Sequence, residues 1–197
     1  MNKGKMKEST SLQLEAPRLE HGKALVLAGL RSRYTSEAMN GIPAQWERFA
    51  PHIGKIPGQV GHAAYGACWN FAGGIDYLTG VEVSSSSGLP GDFSVVTIPA
   101  QKYAVFPHFE HVSELRETLD AIDKWLPGSG LEAARGFAET PSFFERYSEE
   151  FDPRTGMGGI EVWIPIKWQG ELNNVLPQRN QGYASAAALL RMGRTDR

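Results

Sequence analysis

The sequence contains a single cysteine among its 197 residues and almost no excess of either charge. One cysteine, Cys68, excludes an internal disulfide framework and is typical of a reducing compartment. With 20 basic and 22 acidic residues the formal net charge is -2, so no global field attracts nucleic acid. No apolar run reaches the roughly 18 residues of a membrane span, and no signal-peptide region follows the polar segment 1–11. We expect a cytoplasmic protein that binds neither nucleic acid directly nor membranes.

Motifs for metal, phosphate and nucleophilic chemistry are missing as well. His108 and His111 lie three residues apart, which is not the zinc-protease spacing, and no Cys/His pair follows them. The glycines within 156–159 precede a strand rather than a helix, so they form a turn and not a phosphate loop. No serine lies in a nucleophile elbow. We predict no metal site and no cofactor, and we assign Cys68 to the core.

The apolar pattern indicates one domain at 15–168, between a flexible lead-in at 1–14 and a loosely attached tail at 169–197. The tail contains one short helical candidate, 184–192. Period-two alternation predicts strands, and a 3.6-residue period predicts two helices. The strands are expected at 23–34, 65–69, 75–83, 93–109 with an interruption at 99–101, and 160–166. The helices are expected to begin near Gly41 and Ser113, and the loops at 55–61 and 84–91. The aromatic segment 143–147 fits a strand or a helix.

The two halves of this domain, about 15–86 and 92–168, repeat the same order of elements: strand, amphipathic helix, strands. Gly74-Ile75-Asp76 in the first half is echoed by Gly159-Ile160-Glu161 in the second. We therefore predict an α+β fold of two tandem βαββ units, whose antiparallel sheets enclose a cavity while the helices pack outside. A groove between repeats is a usual place for a small-molecule site.

The strand that closes the second half carries a carboxylate within an apolar run. Side chains alternate along a strand, so the aliphatic residues of 160–166 share one face, and Glu161, Trp163 and Pro165 share the other. A carboxylate in such a place is hydrogen-bonded, protonated or available to a cation. An acid that faces water on a half-exposed strand accounts for the pattern at least as well.

Several segments resemble the gyrase-inhibitor-like (GyrI-like) effector-binding family, which includes the ligand-binding domains of AraC- and MerR-type regulators. They are Tyr103-Ala104-Val105-Phe106, Trp125-Leu126-Pro127, Phe144-Glu145-Arg146-Tyr147, Phe151-Asp152-Pro153 and the closing strand 160–166. The resemblance extends from about Leu14 to Lys167. It implies a tandem pair of βαββ units with a ligand cavity between them, in agreement with the repeat.

The resemblance also implies a ligand class and a site. In family members that bind drugs, an acidic residue in an aromatic cavity recognises cationic, apolar ligands, and Glu161 is the position that matches it here. The resemblance thus implies a bacterial module that senses or sequesters cationic amphipathic small molecules. The expected ligand-binding residues are Glu161, Trp163, Tyr103, Tyr65 and Trp69. Core packing is the alternative for the last three, and we assign Glu145 to solvent or a local ion pair.

Two other functions stay open. Some family members hydrolyse electrophilic small molecules, in which case Glu161 would be a general base and Tyr65 or Tyr103 would stabilise the developing charge. The family name also suggests a protein partner such as a topoisomerase, and the strand 75–83, taken as a sheet edge, would allow a homodimer. Family regulators carry a helix-turn-helix segment, which this sequence lacks, so we expect a stand-alone module without a DNA-binding domain.

Overall fold

The structure, a computed structural model, describes residues 14–134 and 140–167. The predicted lead-in 1–14, apart from Leu14, and the predicted tail 169–197, with its helical candidate 184–192, lie outside the described residues. Nine strands and two α-helices form within the described ranges. They are β1 (Arg18–Gly22), β2 (Leu25–Thr35), α1 (Ile42–Phe49), β3 (Gln59–Phe71), β4 (Gly74–Val83), β5 (Ser94–Ile98), β6 (Gln101–His108), α2 (Leu115–Trp125), β7 (Glu132–Ala133), β8 (Phe143–Tyr147) and β9 (Ile160–Lys167).

The strands form one curled antiparallel sheet, a half-barrel, in the order β1-β6-β9-β8-β3-β4-β2-β5, with β7 paired to the end of β9. The pair β8–β3, which we call the seam, divides the sheet into two similar parts. On one side lie β8, β9 and β6, and on the other β3, β4 and β2; α1 follows β2, and α2 follows β6. Each part is a βαββ unit, so the predicted α+β fold of tandem units is confirmed.

Both helices pack on the same face of the sheet, which we call the helix face. Pro43 lies in the first turn of α1, where its missing N–H leaves no hydrogen bond unmade, and Phe49 at the end of α1 is completely buried. Leu115 and Ile122 of α2 pack against the aliphatic side chains of β9. Neither helix within the described ranges is long and apolar enough to cross a membrane.

The opposite face of the sheet, the groove face, carries an apolar cluster of its own. Val105 and Phe144 are buried there as completely as the side chains beneath the helices. Alternation along β8 puts Phe144 and Arg146 on the groove face and Glu145 on the helix face, although the three residues are consecutive. The sheet backbone therefore lies between Glu145 on the helix face and Arg146 on the groove face.

Some local predictions are wrong. β3 begins at Gln59, so the predicted loop ends earlier, and the pairing of β3 with β4 shifts register between Gln59 and Ala64. The predicted edge strand, β4, lies between β3 and β2, so it offers no edge to a second copy. The second helix, predicted to begin near Ser113, begins at Leu115; the N–H of Ser113 donates to Nδ1 of His111 at 3.1 Å, in the 3₁₀ turn that precedes the helix. β1 has no counterpart in the prediction.

Candidate functional site

Three of the predicted site residues meet on the groove face around a cavity of about 240 Å3. Tyr65 comes from β3, Tyr103 from β6 and Trp163 from β9, and Phe144 lies between them. The ring centroids of Tyr103 and Trp163 are 5.4 Å apart, and Phe144 stacks on Trp163 at 5.3 Å. At Gly22 a Cβ would come within 2.5 Å of the Tyr103 ring, so glycine is needed for β1 to approach this wall.

Glu161 lines an adjoining cavity of about 650 Å3, which shares Tyr65, Glu82 and Arg146 with the first. Its carboxylate already has three partners: the guanidinium of Arg18 at 2.9 Å, that of Arg146 at 3.4 Å, and the indole N–H of Trp163 at 3.0 Å. The charge of Glu161 is therefore compensated within the protein.

Acidic side chains outnumber basic ones around the larger cavity. Glu82, Glu149, Glu150 and Glu161 line it together with one arginine, Arg146, and with His62. Glu82 is also paired with Lys23 at the rim of the smaller cavity. Glu149 and Glu150 thus add acidic side chains to the lining beyond the ion-paired Glu82 and Glu161.

Trp69, the fifth predicted residue, lies further along β3 and lines neither of these two cavities. Its indole packs against the groove-face cluster and lies under the guanidinium of Arg31, 4.9 Å from the ring centroid. The indole N–H is buried without a hydrogen-bond acceptor among the described residues. The structure thus brings together four of the five predicted residues.

A second carboxylate, Glu145, lies on the helix face directly at the seam. The prediction that it faces solvent or pairs locally is wrong, because its side chain is buried between the two halves of the sheet. The hydroxyl of Tyr77 donates to it at 2.6 Å and that of Tyr147 at 2.9 Å. Burial raises the pKa of Glu145 to about 7, and the two hydroxyl donors oppose that rise.

Aromatic side chains form the shell around Glu145. The indole N–H of Trp46, from α1, donates to the Tyr77 hydroxyl at 3.1 Å, and the Trp46 and Tyr147 rings meet edge to face at 5.0 Å. Burial also raises the pKa of both tyrosines, so they remain protonated hydrogen-bond donors. The helical spacing of Trp46 with Phe49 predicts a core position and gives no sign of this contact. The sequence does contain a signal for this site: if 143–147 is a strand, side-chain alternation places Glu145 on one face together with Phe143 and Tyr147.

Gly66 makes the close approach at the seam possible. A Cβ on this residue of β3 would lie 2.1 Å from the Tyr77 hydroxyl oxygen and 2.4 Å from Oε2 of Glu145. Such distances are impossible for a real side chain, so the carboxylate and its donor occupy the space above the glycine. Within the described ranges there is no group of three or more His, Cys, Asp or Glu side chains that could hold a metal ion.

The model of the GyrI-like small molecule binding domain matches residues 15–167. The chain belongs to the GyrI-like family. Among curated proteins, this GyrI-like chain is similar to the transcriptional regulator BrlR of Pseudomonas aeruginosa, with 33% identity over 125 residues. The match covers 61% of this chain and 44% of BrlR, so it spans less than half of that regulator.

Two solved structures share the GyrI-like fold. SAV2435 bound to tetraphenylphosphonium superposes with a TM-score of 0.63 at 19% identity, over 81% of this chain and 99% of that one. A putative transcription regulation protein from Staphylococcus aureus gives a TM-score of 0.58 at 22% identity, over 77% and 98%. The chain is therefore a GyrI-like small-molecule-binding domain, related to the effector domains of transcriptional regulators.

Proposed function

We propose that this domain binds cationic aromatic small molecules and that Glu145 matches the positive charge of the ligand. The observation that carries the proposal is a fully buried carboxylate whose partners, among the described residues, are neutral hydroxyl groups. A buried carboxylate without a cation is strongly destabilised in its ionised form, as the pKa of about 7 reflects. A ligand cation would supply the missing charge.

The surroundings of Glu145 suit a flat cation. Trp46, Tyr77 and Tyr147 present aromatic rings around the carboxylate, and each favourable cation–π contact contributes about 0.5–2 kcal/mol. These side chains come from α1 and from both halves of the sheet, so a ligand that enters from the helix face must move Trp46 or its neighbours. SAV2435, which shares the fold, is bound to a lipophilic cation, tetraphenylphosphonium, and this supports the ligand class.

The prediction from the sequence, which gave this role to Glu161 with Trp163, Tyr103, Tyr65 and Trp69, stays a prediction. Two guanidinium groups already neutralise Glu161, so a ligand cation has to displace one of them before it gains the same contact. At Glu145 no described cation has to leave. We therefore favour Glu145 as the charge receptor of the ligand.

In the cell we propose a role in sensing or sequestering such molecules, without direct contact to nucleic acid. The relationship to effector domains of transcriptional regulators supports sensing. A protein partner, or a second copy of the chain, would then receive the signal.

The test is a titration of wild type, Glu145→Gln and Glu161→Gln with tetraphenylphosphonium, followed by calorimetry at pH 8. We expect Glu145→Gln to lose at least tenfold in affinity, since it removes the charge and keeps the shape, and Glu161→Gln to stay near wild type. Triphenylphosphine oxide, a neutral aromatic control, should bind all three proteins alike. Equal affinity of wild type and Glu145→Gln for the cation would refute the proposal, and loss only in Glu161→Gln would move the site to the groove face.

A second candidate function, hydrolysis of an electrophilic small molecule, is favoured by one observation. A carboxyl group with a pKa of about 7 is suited to take up and release protons near neutral pH, and Tyr77 and Tyr147 are placed to donate hydrogen bonds beside it. On this geometry Glu145, rather than the predicted Glu161, would act as general base. Product formation from an epoxide probe that stops in Glu145→Gln would support catalysis; stoichiometric binding without product would exclude it for that probe.

A further inference from the structure

The curled sheet has two free edges, one at each end of the strand order. In the part of the chain that the structure describes, β1 pairs only with β6, and β5 pairs only with β2. About half of the backbone N–H and C=O groups of an antiparallel edge strand bond to its neighbour, and the others point outward. Each edge can therefore accept a further strand.

β1 combines an exposed leucine with two opposite charges. Leu19 is 54% exposed and lies opposite Ala104, a core residue of the helix face, so its side chain projects on that face. Arg18 and Glu20, on either side of Leu19, project on the groove face and form an ion pair with each other. An apolar side chain between an acid and a base is a self-complementary pattern for antiparallel pairing.

We infer that β1 is a dimerisation edge, which pairs antiparallel with β1 of a second copy of this chain. Leu19 lies opposite Leu19 of the second copy on the two-fold axis, and Arg18 lies opposite Glu20 on both sides of it. The inference goes beyond the proposed function, because it assigns a surface to the contact between two copies and involves neither candidate charge receptor of the ligand.

Symmetry limits the registers that two copies can use. The two-fold axis of two identical antiparallel strands is perpendicular to the sheet and passes between two copies of the same residue. An axis at Arg18 opposes two arginines and one at Glu20 opposes two glutamates, and like charges directly opposite are destabilising. An axis at His21 puts Glu20 opposite Gly22 and forms no pair of opposite charges. Only the axis at Leu19 opposes two apolar side chains and two pairs of opposite charge, each of which is stabilising.

The other free edge, β5, lacks such a pattern. Its residues, Ser94–Ile98, carry no charge, so electrostatic pairs select no register for a second copy. β5 does carry an exposed aliphatic side chain, Val95, which is 43% exposed. Val95 is therefore a matched control for Leu19, since both are aliphatic residues on a free edge of the same sheet.

The contact is small, so we expect reversible association that depends on chain concentration. β1 has five residues, and Pro17, which lies opposite His21 in this register, has no N–H to extend the ladder. Interfaces of this size are typical of transient complexes. The two sheets become continuous, with both helix faces on the same side. Glu20 of the second copy then lies beside the guanidinium of Arg18, which also pairs with Glu161 at 2.9 Å.

Sedimentation velocity without ligand tests the edge, over chain concentrations up to about 1 mM so that a weak Kd is still measurable. Wild type is compared with Leu19→Lys and Val95→Lys, after thermal melts show that each variant is folded. Leu19→Lys replaces the apolar contact on the axis by two like charges and should weaken the dimer about tenfold or more. Val95→Lys should dimerise like wild type.

Charge reversal tests the register. Arg18→Glu opposes acid to acid on both sides of the axis, and Glu20→Arg opposes base to base, so each variant alone should dimerise about tenfold more weakly than wild type. An equimolar mixture of the two variants opposes acid to base again. It should recover a dimer with one chain of each variant, which native mass spectrometry distinguishes from either homodimer.

A wild type that stays monomeric over the whole concentration range would overturn the inference. Association that persists in Leu19→Lys, or that is lost in Val95→Lys, would overturn it too, as would a mixture of the two charge-reversal variants that associates no better than each alone. The outcome is independent of the proposed function: Leu19→Lys should bind tetraphenylphosphonium like wild type, and Glu145→Gln should dimerise like wild type whether or not it binds that cation.

Discussion

At the scale of single residues, the two glutamates of the second half differ in what neutralises them. Glu161 has two guanidinium groups and an indole N–H as partners, whereas Glu145 is buried and has two tyrosine hydroxyls as partners. Burial without a cation favours the protonated carboxyl group, so the contribution of Glu145 to the free energy of unfolding depends on pH. This difference decides our choice of charge receptor.

The stability of the free protein should therefore depend on pH through Glu145. Its pKa rises from 4.5 in the unfolded chain to about 7 in the fold, so the folded state binds the proton more tightly. The contribution to the free energy of unfolding is complete below about pH 4.5 and is lost as pH rises through about 7, a change of ~3 kcal/mol. Denaturant unfolding of wild type and Glu145→Gln from pH 4 to 8 should show this difference.

Glu117→Gln is the control for this pH series, because Glu117 is exposed on α2. The difference in free energy of unfolding between Glu117→Gln and wild type should change little between pH 4 and pH 8. If the difference in free energy of unfolding between wild type and Glu145→Gln is the same at pH 4 and pH 8, the raised pKa of Glu145 is contradicted.

At the scale of elements, α1 and α2 are amphipathic helices that cover the same face of the sheet. Trp46, Phe49 and Ile53 follow one another at helical spacing, which predicts a buried stripe, and the Phe49 side chain is completely buried. The spacing also predicted Trp46 as core, but its indole N–H reaches the Tyr77 hydroxyl and so belongs to the shell of Glu145. Helical periodicity identifies the buried stripe of α1 and does not identify which polar group that stripe meets.

Removal of the Phe49 ring should destabilise the first unit strongly. Phe49→Ala leaves a cavity under α1, and truncations of this kind cost about 3–5 kcal/mol. Phe109→Ala is the matched control, because Phe109 is 60% exposed and its truncation should cost less than about 1 kcal/mol. Chemical denaturation of the two variants measures both values, and similar losses would contradict the assignment of Phe49 to the core.

At the scale of the whole molecule, two βαββ units meet at the seam and present related groups on either side of it. Asp76 on β4 and Glu161 on β9 occupy corresponding strands, as the echo of Gly74-Ile75-Asp76 in Gly159-Ile160-Glu161 predicted. Both acids pair with two arginines: Arg31 and Arg33 for the first, Arg18 and Arg146 for the second. The arginines do not follow the repeat, because Arg31 and Arg33 both lie on β2, whereas Arg18 lies on β1 and Arg146 on β8. The repeat therefore covers the order of the elements and the position of the acid.

The seam itself should be sensitive to the smallest added side chain. Gly66→Ala would place a Cβ 2.1 Å from the Tyr77 hydroxyl and 2.4 Å from Glu145, so these groups must shift or lose their hydrogen bond. We expect a loss of about 1–3 kcal/mol in stability and weaker binding of tetraphenylphosphonium. Gly91→Ala, in an open loop with nothing near the added Cβ, is the control. Wild-type stability in Gly66→Ala would contradict the packing at the seam.

The sequence by itself determined the local pattern: the alternation of β9, the stripes of the two helices, the repeat of βαββ units and, through family motifs, the membership of a small-molecule-binding family. Those features depend on neighbours within a few residues, which a sequence displays directly. Only the tertiary structure decided which glutamate is buried. Tyr77 lies 68 residues from Glu145 along the chain, and Arg18 lies on a strand far from Glu161 in sequence. Period two assigns a side chain to a face, but what covers that face depends on strands and helices brought in from elsewhere in the chain.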